Sequence, residues 1–218
     1  YIGMTERVKL AQTYNPDAKI IMCVNMWSAE PTANNMNDET GTVPNISAVY
    51  PVKIMRNLNE YNGNLDETID EEILNIAINN VLDEMRFWLC DENDSRRFGA
   101  DGTDWAAKRQ ENGFENPVEI YCWELGNELY IRKLSSAGYI NLAQRFITAI
   151  KAVFPEVKLA VHTTAAYNNW AVPIIEQLGN QVDFISTHNY YNYKASASTA
   201  KNKVIADAIS TVNNPNLK

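Results

Sequence analysis

Four short apolar runs constrain this chain more than any other feature: residues 19–27 (KIIMCVNMW), 118–125 (VEIYCWEL), 158–164 (KLAVHTT) and 182–191 (VDFISTHNYY). Near-continuous hydrophobicity over so few residues marks strands buried on both faces, as in a parallel sheet. Parallel neighbours need crossover connections, and the intervening stretches carry helical spacing. Residues 136–154 are the clearest: Ser135 or Ser136 caps the start, Ile140, Ala143, Ile147, Ile150 and Phe154 recur on one stripe, and Pro155 stops it. Residues 69–90 form another helix, with Ile69, Ile73, Ile76, Asn80 and Leu82 near one stripe. A short helix at 104–113 is closed by Gly113, and further helices are predicted at 4–14, 168–179 and 199–213. Residues 28–68, rich in Asn, Thr and Pro, read as an extended loop with one short helix, and a loop that long is functional or an insertion.

Two α/β architectures fit this alternation, a doubly wound open sheet and a (β/α) barrel. No Gly-rich phosphate loop follows any strand, which argues against the nucleotide-binding version. The unusual polar residues stand instead where strands end: Asn25, Asn127 with Glu128, His162, and His188 with Tyr190. A barrel keeps its active site there. A closed barrel takes eight strands and about 250 residues. The expectation is a partial (β/α)8 TIM barrel, approximately strands three to six, with 1–218 as its central part and 28–68 as a long loop insertion. Tyr1 in place of Met agrees with an internal piece of a longer chain.

Composition excludes several function classes. A net charge of −8 without a basic stripe argues against nucleic acid. No apolar run approaches the roughly 20 residues of a membrane span. Cys23, Cys90 and Cys122 have no metal-ligand spacing and no even count for a disulfide framework. Cys23 and Cys122 are expected to serve as small hydrophobes. No His/Asp/Glu spacing suggests a metal, and no cofactor is expected. Sequons at Asn45 and Asn93 are compatible with secretion, although such triplets arise often by chance.

The stretch CWELGNELY, 122–130, raises the chemical question, because a strand running into carboxylates must partner or expose them. By residue type alone, Glu128 is a helix cap, a partner for Arg, or a catalytic carboxyl. Glu124 reads as structural, pairing with a cation or hydroxyl, and period-2 alternation puts it on the face of Glu128. His188 is a satisfied core histidine or a site residue, and His162 reads as structural. Tyr190, Tyr191 and Tyr193 fit packing as readily as a ligand wall.

Taken together, YCWELGNEL, KLAV and FISTHNYY resemble clan A glycoside hydrolases, most closely family 51, the α-L-arabinofuranosidases. Supporting stretches are IIMCVNMW and DWAAKRQENGFENPVEIYCWELGNEL. The resemblance implies a retaining hydrolase acting on arabinofuranoside linkages of polysaccharides, with Glu128 as general acid/base. It places Asn127 on the sugar 2-hydroxyl, Asn25, His188 and Tyr190 around the sugar, and Trp27 as a platform. The family's nucleophile closes a seventh strand, expected beyond the C-terminal end of this chain, so the isolated piece is expected to be inactive. Partial burial and that anionic nucleophile are both expected to raise the pKa of Glu128. Expected partners are carbohydrate and the rest of the parent chain, at an extracellular or cell-surface location. The alternative is a non-catalytic glycosidase-like barrel that binds carbohydrate or serves as a structural module.

Overall fold

The computed structural model describes residues 4–26, 28–29, 52–57, 66–132, 134–164, 168–188 and 195–218. Its centre is a four-stranded sheet in the order β1-β6-β7-β8, parallel throughout, built from β1 (Ile21–Val24), β6 (Cys122–Leu125), β7 (Leu159–Thr164) and β8 (Phe184–His188). All four lie inside the apolar runs. Crossovers are helical: α2 (Glu71–Leu89) and α3 (Trp105–Glu111) precede β6, α4 (Ser136–Val153) precedes β7, and α5 (Asn168–Leu178) precedes β8. Helices α1 (Met4–Tyr14) and α6 (Ala195–Thr211) flank the set.

One sheet face packs on these helices through Met22, Val24, Trp123, Leu125, Leu159 and Val161, which join Phe146, Ile150 and Trp170 in the main core. The other face carries the alternate residues, including Cys23, Glu124, His162 and His188. Strand β1 is therefore not buried on both faces as its sequence suggests. Met22 and Val24 are buried, whereas Ile21 and Cys23 are exposed, so Cys23 is not a core hydrophobe. The two buried residues lie on the face that packs on the helices, and the two exposed ones on the opposite face. Cys122 and Cys90 are buried.

Helix caps follow the sequence closely. Ser135 Oγ accepts the Gly138 N–H at 2.9 Å, and Asp70 accepts the Ile73 N–H at 3.3 Å. The buried stripe of α2 is corrected in part: Leu82 is buried as expected and is joined by Leu74, Ala77, Val81, Met85 and Trp88, Ile69 and Ile73 pack partly against the core, and Ile76 and Asn80 are exposed. The longer stripe, ending in Met85 and Trp88, buries more surface than the isoleucines of the first turns. Within 28–68, expected to be loop with one short helix, the described residues form strands. They are β2 (Ser28–Ala29) with β3 (Val52–Lys53), and β4 (Met55–Asn57) with β5 (Asp66–Ile69), both antiparallel. Glu67 of β5 accepts from the backbone N–H and hydroxyl of Ser135, both at 2.7 Å, which ties this ladder to the start of α4.

Candidate active site

The polar residues gather at the carboxyl ends of β6, β7 and β8. Strand β6 stops at Leu125, and the chain turns through Gly126 (φ 80°) to Glu128 (φ 53°). Glu128 is the one non-glycine with positive φ among the described residues, a conformation a side chain adopts at a cost. It is held by a hydrogen bond from the Glu128 N–H to His162 Nε2, 2.9 Å away on β7. His162 is fully buried. Its own N–H donates to the Tyr139 hydroxyl at 3.0 Å, which in turn donates to the Leu125 carbonyl at 2.7 Å. The Tyr130 ring stacks on the imidazole, with centroids 5.5 Å apart, and Trp170 packs at its side.

The Glu128 side chain is fixed as firmly. Oε1 accepts from the Tyr130 hydroxyl at 3.1 Å and lies 3.0 Å from His188 Nδ1. Glu124 approaches the other side of the same imidazole, its Oε1 3.7 Å from His188 Nε2 and 3.8 Å from His162 Nδ1. These separations are too long for hydrogen bonds. Glu124 Oε1 and His162 Nδ1 are both buried without a hydrogen-bond partner among the described residues. Glu124 and Glu128 therefore flank one ring from two sides despite the turn between them.

Electrostatics depart from expectation. The His188 hydrogen bond holds the Glu128 carboxyl below the usual carboxylate range, with Tyr130 adding to the effect and desolvation opposing it. A raised value was expected from burial and an anionic neighbour. A hydrogen bond given by His188 Nδ1 to the charged form outweighs burial here, and that direction belongs to the His188 tautomer with its proton on Nδ1. His162 is pushed down to about 4, first by burial and then by His188, with Glu128 opposing, so it is neutral at pH 7. Because its Nε2 accepts the Glu128 N–H, its single proton sits on Nδ1.

Glu124, His162 and His188 each bring a donor atom within 4.8 Å of the others, the composition of a His/His/carboxylate metal centre. A ligating histidine donates with its second nitrogen. His162 instead accepts there, which puts a proton where the metal bond would form. The cluster does not fit a metal.

Of the residues singled out in the sequence, Glu128 and His188 are in contact. Asn127 and Asn25 are exposed at the carboxyl ends of β6 and β1. Trp27, Tyr190, Tyr191 and Tyr193 lie outside the described residues. Sequence reasoning missed Tyr130 and Tyr139 and gave His162 no link to Glu128. Tyr130 stands two positions after Glu128, and that proximity was the available signal.

Comparison with known proteins gives the family. A family model described as the alpha-L-arabinofuranosidase 1 domain matches residues 2–207. The exo-alpha-(1->6)-L-arabinofuranosidase of Bifidobacterium longum is 30% identical over 100 residues, 42% of this chain and 19% of that protein. An intracellular exo-alpha-(1->5)-L-arabinofuranosidase of the same organism is 30% identical over 102 residues, 43% of this chain and 18% of that protein. Intracellular exo-alpha-(1->5)-L-arabinofuranosidase 1 of Bacillus subtilis is 29% identical over 99 residues, 41% and 20% respectively. The chain thus spans about a fifth of the length of the curated relatives it matches. Two of these relatives are intracellular by name, which overturns the expected extracellular location and secretion. The sequons carried no address of their own. No helix among the described residues is long and apolar enough to cross a membrane. With a strand-end Gly-Asn-Glu on a parallel sheet and a family match over nearly its whole length, this chain belongs to the alpha-L-arabinofuranosidase 1 domain family of glycoside hydrolases.

Proposed function

We propose that this chain is part of a cytoplasmic retaining glycoside hydrolase that releases arabinofuranose from polysaccharide or its fragments, with Glu128 as general acid/base. The observation that carries this reading is the placement of Glu128. Its backbone is pinned at positive φ by His162, and its carboxyl is hydrogen-bonded to Tyr130 at the carboxyl end of a parallel strand. Strands β1, β6, β7 and β8 are then strands three to six of a (β/α)8 barrel, and 1–218 is the central part of that domain. In this mechanism Glu128 gives its proton to the departing glycosidic oxygen as the C–O bond breaks, while a second carboxylate bonds to the anomeric carbon. The resulting Glu128 carboxylate takes a proton from the water that releases the sugar. The second carboxylate is assigned to no residue described here. Asn127 serves the sugar 2-hydroxyl, and Asn25, His188, Tyr190 and Trp27 line the sugar site.

The test is hydrolysis of a chromogenic α-L-arabinofuranoside by the protein that carries this chain, beside its Glu128→Ala variant. Turnover by the wild type should fall by about 10²–10⁴-fold in the variant, the usual worth of a general acid/base. Added azide should restore part of it. Activity unchanged in Glu128→Ala would remove Glu128 from the chemistry. No turnover by the wild type on this or related glycosides would leave a carbohydrate-binding or structural module.

A further inference from the structure

Resting on the acid/base reading of Glu128, we propose that Glu124 is the positioning residue that keeps the catalytic proton on Glu128, by fixing the tautomers of both histidines. Glu124 Oε1 is buried and has no donor among the described residues. A buried carboxylate oxygen without a donor is costly. The donors facing it are His162 Nδ1, 3.8 Å away, and His188 Nε2, 3.7 Å away. His162 already carries its proton on Nδ1, because Nε2 accepts from Glu128. The same demand applied to His188 puts its proton on Nε2. A neutral imidazole has one N–H, so Nδ1 of His188 is then an acceptor.

That acceptor faces Glu128 Oε1 at 3.0 Å. A hydrogen bond between them requires the proton to be on Glu128. With His188 donating from Nδ1, Glu128 is ionised and cannot act as an acid; with His188 accepting there, Glu128 is the acid that glycoside cleavage needs. The choice is made at the far nitrogen of the ring, and Glu124 makes it. Moving the proton from Oε1 to Nδ1 and back changes no bond other than O–H and N–H and leaves the total charge of the cluster the same.

The surroundings do not compete for this role. Tyr139 from α4 feels the Glu124 charge, but burial chiefly pushes it up, further from pH 7; Cys23, opposite Glu124 on β1 and exposed as a residue, is pushed up by partial desolvation of its thiol and then by Glu124. Tyr130 donates to Glu128, and His162 is neutral. Glu128 and His188 are thus the pair between which the proton moves, with Glu124 facing the far nitrogen of the ring.

Two measurements test this on the protein that carries the chain. The first is a long-range ¹⁵N–¹H correlation spectrum of ¹⁵N-histidine-labelled protein at pH 7, with His162→Gln and His188→Gln assigning the signals. Expected are a protonated Nδ1 on His162 and a protonated Nε2 with bare Nδ1 on His188. A His188 protonated at Nδ1, alone or on both nitrogens, overturns the proposal, as does a metal ion in place of the His162 Nδ1 proton. The second is the pH profile of kcat/KM in Glu124→Gln. Losing the anion should move the basic limb to lower pH by about one unit, and Glu124→Asp should return it. A reduced rate with an unmoved limb would make Glu124 merely structural. The outcomes separate cleanly from the acid/base reading. Tautomers as expected with no glycoside turnover would sink that reading alone, and turnover with the opposite tautomers would sink only this one.

Discussion

Two buried polar clusters in this fold are built on opposite terms. Where α2 ends and the chain approaches β6, Arg109 is fully buried and donates to four backbone carbonyls, those of Phe87, Cys90, Phe114 and Glu115. The acceptors lie at the end of α2 and in the turn after α3, so the guanidinium clamps the two together. At the carboxyl ends of the strands, His162 is fully buried and Glu124, Glu128 and His188 are partly so, yet Glu124 Oε1 and His162 Nδ1 stay without hydrogen bonds among the described residues. Satisfied buried charge holds a fold together, whereas incompletely satisfied charge is a feature of sites whose groups must exchange protons.

The largest expected effect is at the clamp. Arg109→Met keeps the apolar stem and removes every donor, leaving the carbonyls buried and unpaired. Chemical denaturation should show a loss of about 3–5 kcal/mol, the scale for breaking a buried charged network. A loss under 1 kcal/mol would mean that water enters and the clamp is dispensable.

Next comes pH. His162 is held at about 4 in the fold against 6.5 when unfolded, so the unfolded chain binds the extra proton between these values. Stability is then fully present above pH 6.5 and falls as pH drops from there to about 4, by about 3 kcal/mol over the window. Denaturation midpoints at pH 7 and 4.5 measure this slope, and His162→Gln should flatten it. An unchanged slope in the variant would place the titrating group elsewhere.

How much of this was legible in the sequence follows from the range of the forces involved. The strands and the cap at Ser135 are local, so pattern alone located α4 and, to within two residues, the ends of α2. The stripe of α2 was misread because the winning set, Leu74 through Trp88, depends on which face the sheet offers. Strand β1 looked doubly buried because hydrophobicity does not tell which face the helices cover. In the site, Glu128 and His188 stood out through the motifs that carry the family resemblance. The lowered pKa of Glu128 did not, because it depends on a 3.0 Å contact between residues of different strands. Nor did the role of His162, which exists only because Glu128 takes φ 53°.

A smaller effect tests the link between backbone and site. The Tyr139 hydroxyl bridges the Leu125 carbonyl and the His162 N–H inside the core. Tyr139→Phe should cost about 2 kcal/mol, since both backbone groups lose their partner. Thermal unfolding reads this directly. A neutral result would show that the two strands re-pair without it.

The smallest effect carries the opposite sign, and it separates the two clusters most sharply. Glu128→Gly removes a side chain that is strained at positive φ, a relief of about 1 kcal/mol that glycine enjoys freely. Against it stand the hydrogen bonds to Tyr130 and His188, made by a side chain only 19% exposed. His188 can turn to water or to Glu124 once Glu128 is gone, so the loss is partial. The expected balance is a gain of about 0.5 kcal/mol in denaturant unfolding, together with abolished glycoside turnover. No substitution at Arg109 should behave this way, because its contacts serve the fold alone. A clear destabilisation by Glu128→Gly would show that this carboxylate is as structural as the clamp, and the contrast between the two clusters would dissolve.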